Sequence, residues 1–194
     1  MAQLTRPRLV VGISGSSAPH LGVAVLRALR DLGTVETHLV LSNAARLTIK
    51  LEMETDPAEV ESLADVCHDS GNLAAGPSSG SFVTLGMVVV PCSMRTLAAI
   101  ATGNTTDLLT RSADVTLKER RKLVLVPRET PLSLIHLRNM ETATLAGAVI
   151  LPPVPAFYHR PQTIDDLLNH TAGKILDQFA IEHTLFKRWE SAPE

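Results

Sequence analysis

The sequence predicts a doubly wound α/β domain, in which helices cover both faces of a parallel sheet. Short continuous runs of Val, Ile and Leu alternate along the chain with helical patterns. These runs lack the in-and-out alternation of half-exposed antiparallel strands, which favours strands buried on both faces. The length of 194 residues suits one domain of ordinary size. We therefore expect residues 1–194 to form a single three-layer domain, flavodoxin-like or Rossmann-like.

The pattern predicts each element in chain order. Strands are expected at Leu9–Ile13, Glu36–Leu41, Met87–Val90, Leu123–Val126 and Ala148–Leu151. Helices are expected at Pro19–Leu32, Ala44–Leu51, Pro57–His68, Arg95–Ala101, Thr106–Arg120, Pro131–Ala146 and Ile164–Ile181. Thr130-Pro131 supplies a helix cap and a first-turn proline, and Thr163 with Asp166 forms a capping-box pattern. Long loops are predicted at Asp69–Phe82 and Pro152–Pro161, and loops of that length are often functional.

Composition argues against several classes of function. Only 3% of the residues are aromatic, too few for the stacking surfaces of single-strand nucleic-acid binders. The formal charge of -2 provides no general attraction for nucleic acid or an anionic membrane. The two cysteines form no disulfide framework or metal-ligand pattern, and Cys92 is expected to be a small buried thiol. Without a signal peptide or a run of about 18 apolar residues, a cytoplasmic location is predicted.

The loops after the predicted strands form the candidate ligand site, because ligands of open parallel sheets bind outside the carboxyl ends of the strands. Each of these loops carries hydroxyls, charges or prolines. They are Gly12–Ala18, Ser42-Asn43, Pro91–Thr96, Pro127–Thr130 and Pro152–Tyr158.

The first of these loops, GISGSSA, suits an anion. Small residues let the backbone approach a ligand, and the N–H groups at the following helix start attract negative charge. The loop lacks the Lys-Ser/Thr of a nucleotide P-loop and departs from GxGxxG, and no acidic residue follows the second strand to hold a ribose. FMN therefore fits better than ATP or NAD, and a plain tight turn is the alternative interpretation.

A basic helical stretch provides candidate anion ligands. Arg111 and Lys118 lie seven residues apart and share a helix face, and Asp114 between them is placed to orient the arginine. A solvated helix face is the alternative. The next strand ends in Arg128-Glu129, where a glutamate beside cations can stay ionised or donate a proton to a phosphate, or can simply be a salt-bridged strand end.

The single tyrosine and the single tryptophan lie in the last part of the chain. Tyr158 belongs to the proline-rich loop, where its hydroxyl can donate to a phosphate. A rigid aromatic ring that anchors the loop is the alternative interpretation. Trp189 lies close to the C-terminus, a position typical of a surface or subunit contact.

Together these segments resemble the flavin prenyltransferases of the UbiX type, from about Leu9 to Trp189. The similar segments read SGSS, SNAA, PCSMRTLAAIATG, TRSADVTLKERRKLVLVPRETPLSLIHLRNM and AVILPPVPAFYHRPQTIDDL. The resemblance implies a metal-independent enzyme that joins a dimethylallyl group from dimethylallyl phosphate to N5 and C6 of reduced FMN. The prenylated FMN would serve a UbiD-type decarboxylase. A homo-oligomer, a dodecamer, is also implied, with residues 163–194 at subunit contacts.

The resemblance also implies roles for individual residues. The flavin would be held by Gly15, Ser16, Ser17, Ser42, Ser93, Met94, Arg95, Thr96 and Arg128. The substrate phosphate would be held by Arg111, Lys118, Arg128, Tyr158 and Lys174. Catalytic roles would fall to Glu129, Ser17, Glu52 and Lys118, and Trp189 would reach the prenyl pocket of a neighbouring subunit. Several fixed cations of this kind stabilise a departing phosphate without a metal ion.

Three positions depart from the family pattern. Ala18 stands where relatives often have glycine, Lys174 where several have arginine, and Leu73 where some have an aromatic residue. Lysine replaces the bidentate fork of arginine with a point charge.

Other functions fit the sequence less well. Flavin-dependent cysteine decarboxylases carry a PASANT-like segment where this chain has PCSMRT, and flavodoxin-like carriers use more aromatic rings. An FMN carrier or accessory subunit of an aromatic acid decarboxylase, without prenyl transfer, is the alternative hypothesis.

Overall fold

Six parallel strands form one sheet in a computed structural model that describes residues 6–189. The strands are β1 Arg8–Ile13, β2 Glu36–Leu41, β3 Val66–Asp69, β4 Gly86–Cys92, β5 Lys122–Pro127 and β6 Ala148–Ile150. Their order in the sheet is β3-β2-β1-β4-β5-β6, which is the Rossmann order. The order reverses between β1 and β4, so the loops after these two strands diverge and leave a crevice for a ligand.

Helices cover both faces of the sheet, which confirms the predicted three-layer fold. They are α1 His20–Leu32, α2 Asn43–Met53, α3 Pro57–Glu61, α4 Met94–Ala101, α5 Leu108–Lys118, α6 Leu134–Leu145 and α7 Ile164–Gln178, with a 3-10 turn at Gly76–Ser78. Alternate residues of β1 point to opposite layers. Leu9 and Val11 pack with α1 and α7 in one core, whereas Val10 packs with α4 and α5 in the other.

The structure corrects one element of the prediction outright. Residues Val66–Asp69 form the edge strand β3, and the helix predicted over Pro57–His68 ends at Glu61. The strand is short and its residues alternate between half-buried and exposed, so it lacks the continuous apolar run that identifies the central strands.

Two other helix ends differ from the prediction by three residues. Helix α6 begins at Leu134, after the predicted Pro131, because Ser133 and His136 form a capping box. Helix α7 ends at Gln178, before the predicted Ile181, and Ala180 adopts a left-handed conformation with φ +54°. At the other end of α7 the predicted capping box is confirmed, since Thr163 and Asp166 exchange side-chain and backbone hydrogen bonds.

Helix α6 differs from the other long helices because little of it is buried. Ala143 is its one fully buried residue, while Leu134, Ile135 and Leu145 are 62%, 70% and 83% exposed. An exposed apolar surface of this kind is typical of a protein–protein contact. Within residues 6–189, no helix combines the length and hydropathy that crossing a bilayer requires.

Candidate functional site

The carboxyl ends of β1 to β4 open onto a cleft of about 480 Å³, here named the strand-end cleft. Its size is typical of small-molecule sites. It is lined by Gly15, Ser42, Asn43, Ala44, Asp69, Ser70, Gly71, Ser93, Arg95, Thr96, Thr106 and Asp107. Five of the residues named as flavin ligands are therefore together in one cleft: Gly15, Ser42, Ser93, Arg95 and Thr96.

Three helices begin at this cleft, each with a polar N-cap. Ser42 caps α2 by accepting a hydrogen bond from the Ala45 N–H at 3.1 Å. Ser93 caps α4 in the same way, and Asp107 caps α5. The capping side chains thus build the helix ends, and the first-turn N–H groups and Arg95 give the cleft its attraction for an anion.

Gly15 is the residue that lets α2 approach the loop after β1. A Cβ at this position would overlap the Cβ of Ala44. A side chain is therefore excluded here by packing, which explains why this loop needs glycine at the edge of the cleft.

Buried serines join the loops after β1, β4 and β5. The Ser14 hydroxyl donates to the Pro91 carbonyl at 3.0 Å and accepts from the Ser93 N–H at 2.7 Å. The Ser16 hydroxyl donates to the Arg128 carbonyl at 2.9 Å. Ser16 thus acts as a structural tie, and it brings the strand end that carries Arg128 to the loop after β1.

Ser17 and Glu52 lie in contact although 35 positions separate them. The Ser17 hydroxyl donates to Glu52 Oε2 at 3.1 Å, and the Ala18 N–H donates to the same oxygen at 2.8 Å. Ala18 has φ +67°, a left-handed conformation that glycine adopts more easily. The departure from the family glycine therefore falls at a position of backbone strain.

Glu129 is exposed, and one oxygen of its carboxylate accepts a hydrogen bond from the Thr130 N–H at 2.9 Å. Neither Glu129 nor its neighbour Arg128 forms a salt bridge within residues 6–189. Both are therefore placed beside the loop after β1 with their charges available to a ligand. Met94 contributes its side chain to the core beneath α4.

The predicted cations of α5 contact the long loop between β3 and β4. Arg111 donates through Nε to the Ser78 carbonyl at 3.2 Å and through Nη1 to Asp114 at 2.6 Å, which confirms the orienting role of Asp114. Lys118 pairs with Glu119, and this contact lowers the pKa of the Glu119 carboxyl. A cavity of about 380 Å³ separates Arg111 from Leu73, so these two residues face the same space.

Tyr158, Lys174 and Trp189 lie in a second group of side chains, here named the C-terminal cluster, which also contains His170 and Asp177. The Tyr158 hydroxyl lies 3.0 Å from His170 Nε2, and its ring lies edge-on to Trp189 at 5.8 Å. Lys174 Nζ lies 3.6 Å from Asp177. Within the described part of the chain, no hydrogen bond or salt bridge joins this cluster to the strand-end cleft.

Both cysteines are poor nucleophiles at neutral pH. Burial raises the pKa of the Cys92 thiol to about 12, which agrees with the predicted buried thiol. Burial and the nearby Glu61 raise the pKa of Cys67 to about 11. No group of three potential metal-ligating side chains occurs among residues 6–189.

Comparison with known proteins decides the family. A model of the Flavoprotein family matches residues 2–177. The chain is 58% identical over 187 residues to flavin prenyltransferase UbiX of Escherichia coli (strain K12), and the match covers 95% of this chain and 99% of the relative. The chain belongs to the flavin prenyltransferase family. A probable UbiX-like flavin prenyltransferase of Sedimentibacter hydroxybenzoicus is 54% identical over 187 residues, covering 96% of this chain and 99% of the relative.

Solved structures of this family have the same fold. The crystal structure of AnUbiX (PadA1) in complex with FMN and dimethylallyl pyrophosphate superposes with a TM-score of 0.94 at 54% identity, over 97% of this chain and 100% of that one. The dodecameric FMN-dependent UbiX-like decarboxylase from Escherichia coli O157:H7 has a TM-score of 0.92 at 51% identity, over 95% and 100%. The cysteine decarboxylase TvaF shares the fold alone, at 15% identity.

Several site residues were not identified from the sequence of this prenyltransferase. Asp69, Ser70 and Gly71 line the cleft. Asp69 ends β3 and the other two follow it, but the sequence pattern assigned residues 66–68 to a helix. A strand prediction at residues 66–69 would have placed them with the other strand-end loops. His170 carries no sequence signal, because only the folded chain brings it to Tyr158. The three-residue spacing of Lys174 and Asp177 on a predicted helix would have indicated their contact.

Proposed function

We propose that this chain transfers the dimethylallyl group of dimethylallyl phosphate to N5 and C6 of reduced FMN, giving prenylated FMN for a UbiD-type decarboxylase. The observation that carries the proposal is the 58% identity over nearly the whole chain to flavin prenyltransferase UbiX. A cytoplasmic location belongs to the same proposal and rests on the sequence prediction.

The strand-end cleft fits FMN. Its helix N-termini and Arg95 suit a phosphate, and the close packing of Gly15 on Ala44 holds the loop after β1 beside the start of α2. Asp69 and Asp107 line the same cleft and offer acceptors to ligand hydroxyls. When bound in its reduced form, the flavin supplies the electron-rich ring positions that accept the allyl group.

The substrate phosphate would be held by cations that the fold leaves available. Arg111 uses Nε and Nη1 within the chain, so Nη2 remains free to donate to a phosphate oxygen. Arg128 adds a second cation beside the loop after β1. Lys118, Lys174 and the Tyr158 hydroxyl complete the proposed set. As the allylic C–O bond breaks, these donors stabilise the charge that builds on the phosphate.

Proton transfer would involve two carboxylates. The Ser17 hydroxyl donates to Glu52, so a proton that reaches the Ser17 oxygen can pass to the Glu52 carboxylate. Glu129 stands exposed at the end of β5, where it can give a proton to the leaving phosphate or take one back. Ser16 ties the loop that carries Ser17 to the strand end that carries Glu129.

A neighbouring copy would supply the C-terminal cluster. Tyr158 and Trp189 are 43% and 61% exposed, and α6 presents uncovered apolar residues. Association of copies would cover both features, and one relative is a dodecamer, so a homo-dodecamer is part of the proposal. Residues 163–194 remain the proposed contact segment, of which residues 190–194 lie outside the described residues.

The test is anaerobic incubation of the pure protein with reduced FMN and dimethylallyl phosphate, followed by the mass of the extracted flavin. We expect a five-carbon adduct with reduced FMN and none with oxidised FMN. Bound FMN without any adduct would contradict prenyl transfer and favour the carrier or accessory-subunit alternative.

A further inference from the structure

We propose that Asp177 is a positioning residue: it fastens the C-terminal segment to α7, so that Trp189 lies against Tyr158, and it holds Lys174 beside them. The assignment of these three side chains to the substrate rests on the proposed function. The fastening itself rests on contacts within this chain.

Asp177 is the point where the C-terminal segment is joined to α7. Arg188 donates to both carboxylate oxygens, from Nη1 at 3.1 Å and from Nη2 at 2.7 Å. His183 Nε2 lies 3.2 Å from Oδ1, and the His183 side chain is fully buried. A two-pronged arginine contact fixes direction as well as distance, so the residue after Arg188 is held in place.

The segment also packs closely on α7. A Cβ on Gly173 would lie 2.5 Å from Phe186 Cε1 and 2.6 Å from His183 Cε1, so glycine makes room for both rings. The Arg188 guanidinium lies 5.5 Å from the centre of the Phe186 ring. The ion pair therefore secures a segment that already fits the helix surface.

One face of α7 carries three of the five residues of the C-terminal cluster. His170, Lys174 and Asp177 are spaced by four and three residues, which places them on the same side of the helix. His170 contacts the Tyr158 hydroxyl, and Asp177 fastens the segment that ends at Trp189. Lys174 lies between them, at the centre of the face.

The charge on Asp177 attracts Lys174 but leaves the N–H donors of its ammonium group free. Hydrogen bonding by Arg188 lowers the pKa of Asp177, so the carboxylate is ionised at neutral pH. Its 3.6 Å separation from Lys174 Nζ exceeds normal hydrogen-bond length. Lys174 is therefore attracted to this position but keeps its donors for an anion.

The experiment compares Asp177→Asn with wild type in the full-length protein. Trp189 is the only tryptophan, so intrinsic fluorescence reports the segment directly and independently of activity. We expect a changed Trp189 emission and a KM for dimethylallyl phosphate raised by roughly tenfold, equivalent to the loss of one charge-assisted contact. FMN affinity should stay at the wild-type value.

Arg188→Gln provides the second arm, since it removes the partner of Asp177 from the exposed side and leaves α7 intact. It should reproduce both changes, and the double variant should be no worse than either single variant, as expected for one shared interaction. Asp65→Asn is the matched control, because Asp65 bonds Arg6 and Thr37 and has no contact with the C-terminal cluster.

Three results would overturn the assignment: wild-type Trp189 emission in Asp177→Asn and Arg188→Gln, a KM no different from that of Asp65→Asn, or additive effects in the double variant. A wild-type protein that forms no prenylated flavin would refute the proposed function. The fluorescence comparison would still decide whether Asp177 fastens the segment.

Discussion

The strand-end cleft and the C-terminal cluster are constructed in opposite ways. Helix N-termini and backbone groups build the cleft, and buried serines such as Ser14, which is 1% exposed, tie its loops together. The cluster consists of side chains on one helix face and one loop, with Tyr158 and Trp189 largely open to solvent. A single copy of the fold therefore forms the cleft proposed for the flavin, whereas the cluster leaves two aromatic side chains open to a partner surface.

Glu129 lies next to the cleft. Of the substitutions considered, its replacement should have the largest effect, slowing prenyl transfer while leaving FMN binding unchanged. Glu129→Gln should leave FMN affinity unchanged, because the carboxylate takes no part in building the cleft. Formation of prenylated flavin should slow by roughly 10²–10⁴-fold, the usual effect of removing a general acid–base group. The measurement is single-turnover flavin mass under anaerobic conditions, and wild-type turnover would remove Glu129 from the mechanism.

A side chain at Gly15 should damage the cleft and spare the cluster. Gly15→Ala places a methyl group against Ala44, and overpacking of this kind costs about 1–3 kcal/mol. We expect FMN affinity, measured by titration, to fall about 10-fold to 100-fold, with Trp189 emission unchanged.

Gly71→Ala is the control for this comparison. Gly71 lines the same cleft, but its added Cβ has only ordinary contact, 3.5 Å from Asp69 Oδ1. Equal losses of FMN affinity in the two variants would show that Gly15 has no special packing role.

The folded state should lose stability at mildly acidic pH. Burial lowers the pKa of His68 and of His170 below the ordinary 6.5, so the unfolded chain binds more protons than the folded one. Their contribution to stability is complete above pH 6.5 and is lost as the pH falls through the lowered values. Thermal unfolding should show Tm falling from neutral to mildly acidic pH.

His170→Phe sharpens this expectation, because it removes one of the two titrating groups and the hydrogen-bond partner of Tyr158. The acid-induced fall in Tm should be smaller in this variant. A fall of the same size as in wild type would show that His170 contributes nothing to it.

The smallest effect is expected at Ala18. Ala18→Gly removes the strain of the left-handed conformation but increases the freedom of the unfolded chain, so a net gain of about 0.5 kcal/mol in unfolding free energy is expected. Ala24→Gly inside α1 should instead lose about 0.5–1 kcal/mol. Chemical denaturation measures the unfolding free energy of both variants. A loss of stability in Ala18→Gly would show that the backbone at Ala18 is not strained.

The sequence predicted the sheet interior well and its edge poorly. Central strands such as β4 are buried on both faces, and their uninterrupted apolar residues identify them. Edge strand β3 is half exposed and carries Cys67 and His68, so its pattern does not differ from a helix end. That one error hid the cleft residues after β3, because the strand-end rule works only for strands that are recognised.

The predicted site residues fall into two groups, those whose positions follow from the sheet and those that the family resemblance indicated. Strand-end loops identified Gly15, Ser93 and Arg95 because their positions follow from the sheet. The resemblance supplied Lys174 and the roles of Tyr158 and Trp189, but the side chains that hold these residues depend on tertiary contacts between α7 and residues 183–188. Such tertiary contacts cannot be predicted from the local sequence.

Mixing two inactive variants tests most directly whether the cleft and the cluster of different copies act together. Glu129→Gln retains the cluster, and Tyr158→Phe with Lys174→Gln retains the cleft. If copies exchange clusters, mixed oligomers confirmed by native mass spectrometry should form prenylated FMN at about a quarter of their sites under random assembly. Activity no higher than that of either parent would contradict the account and place both halves of the site in one chain.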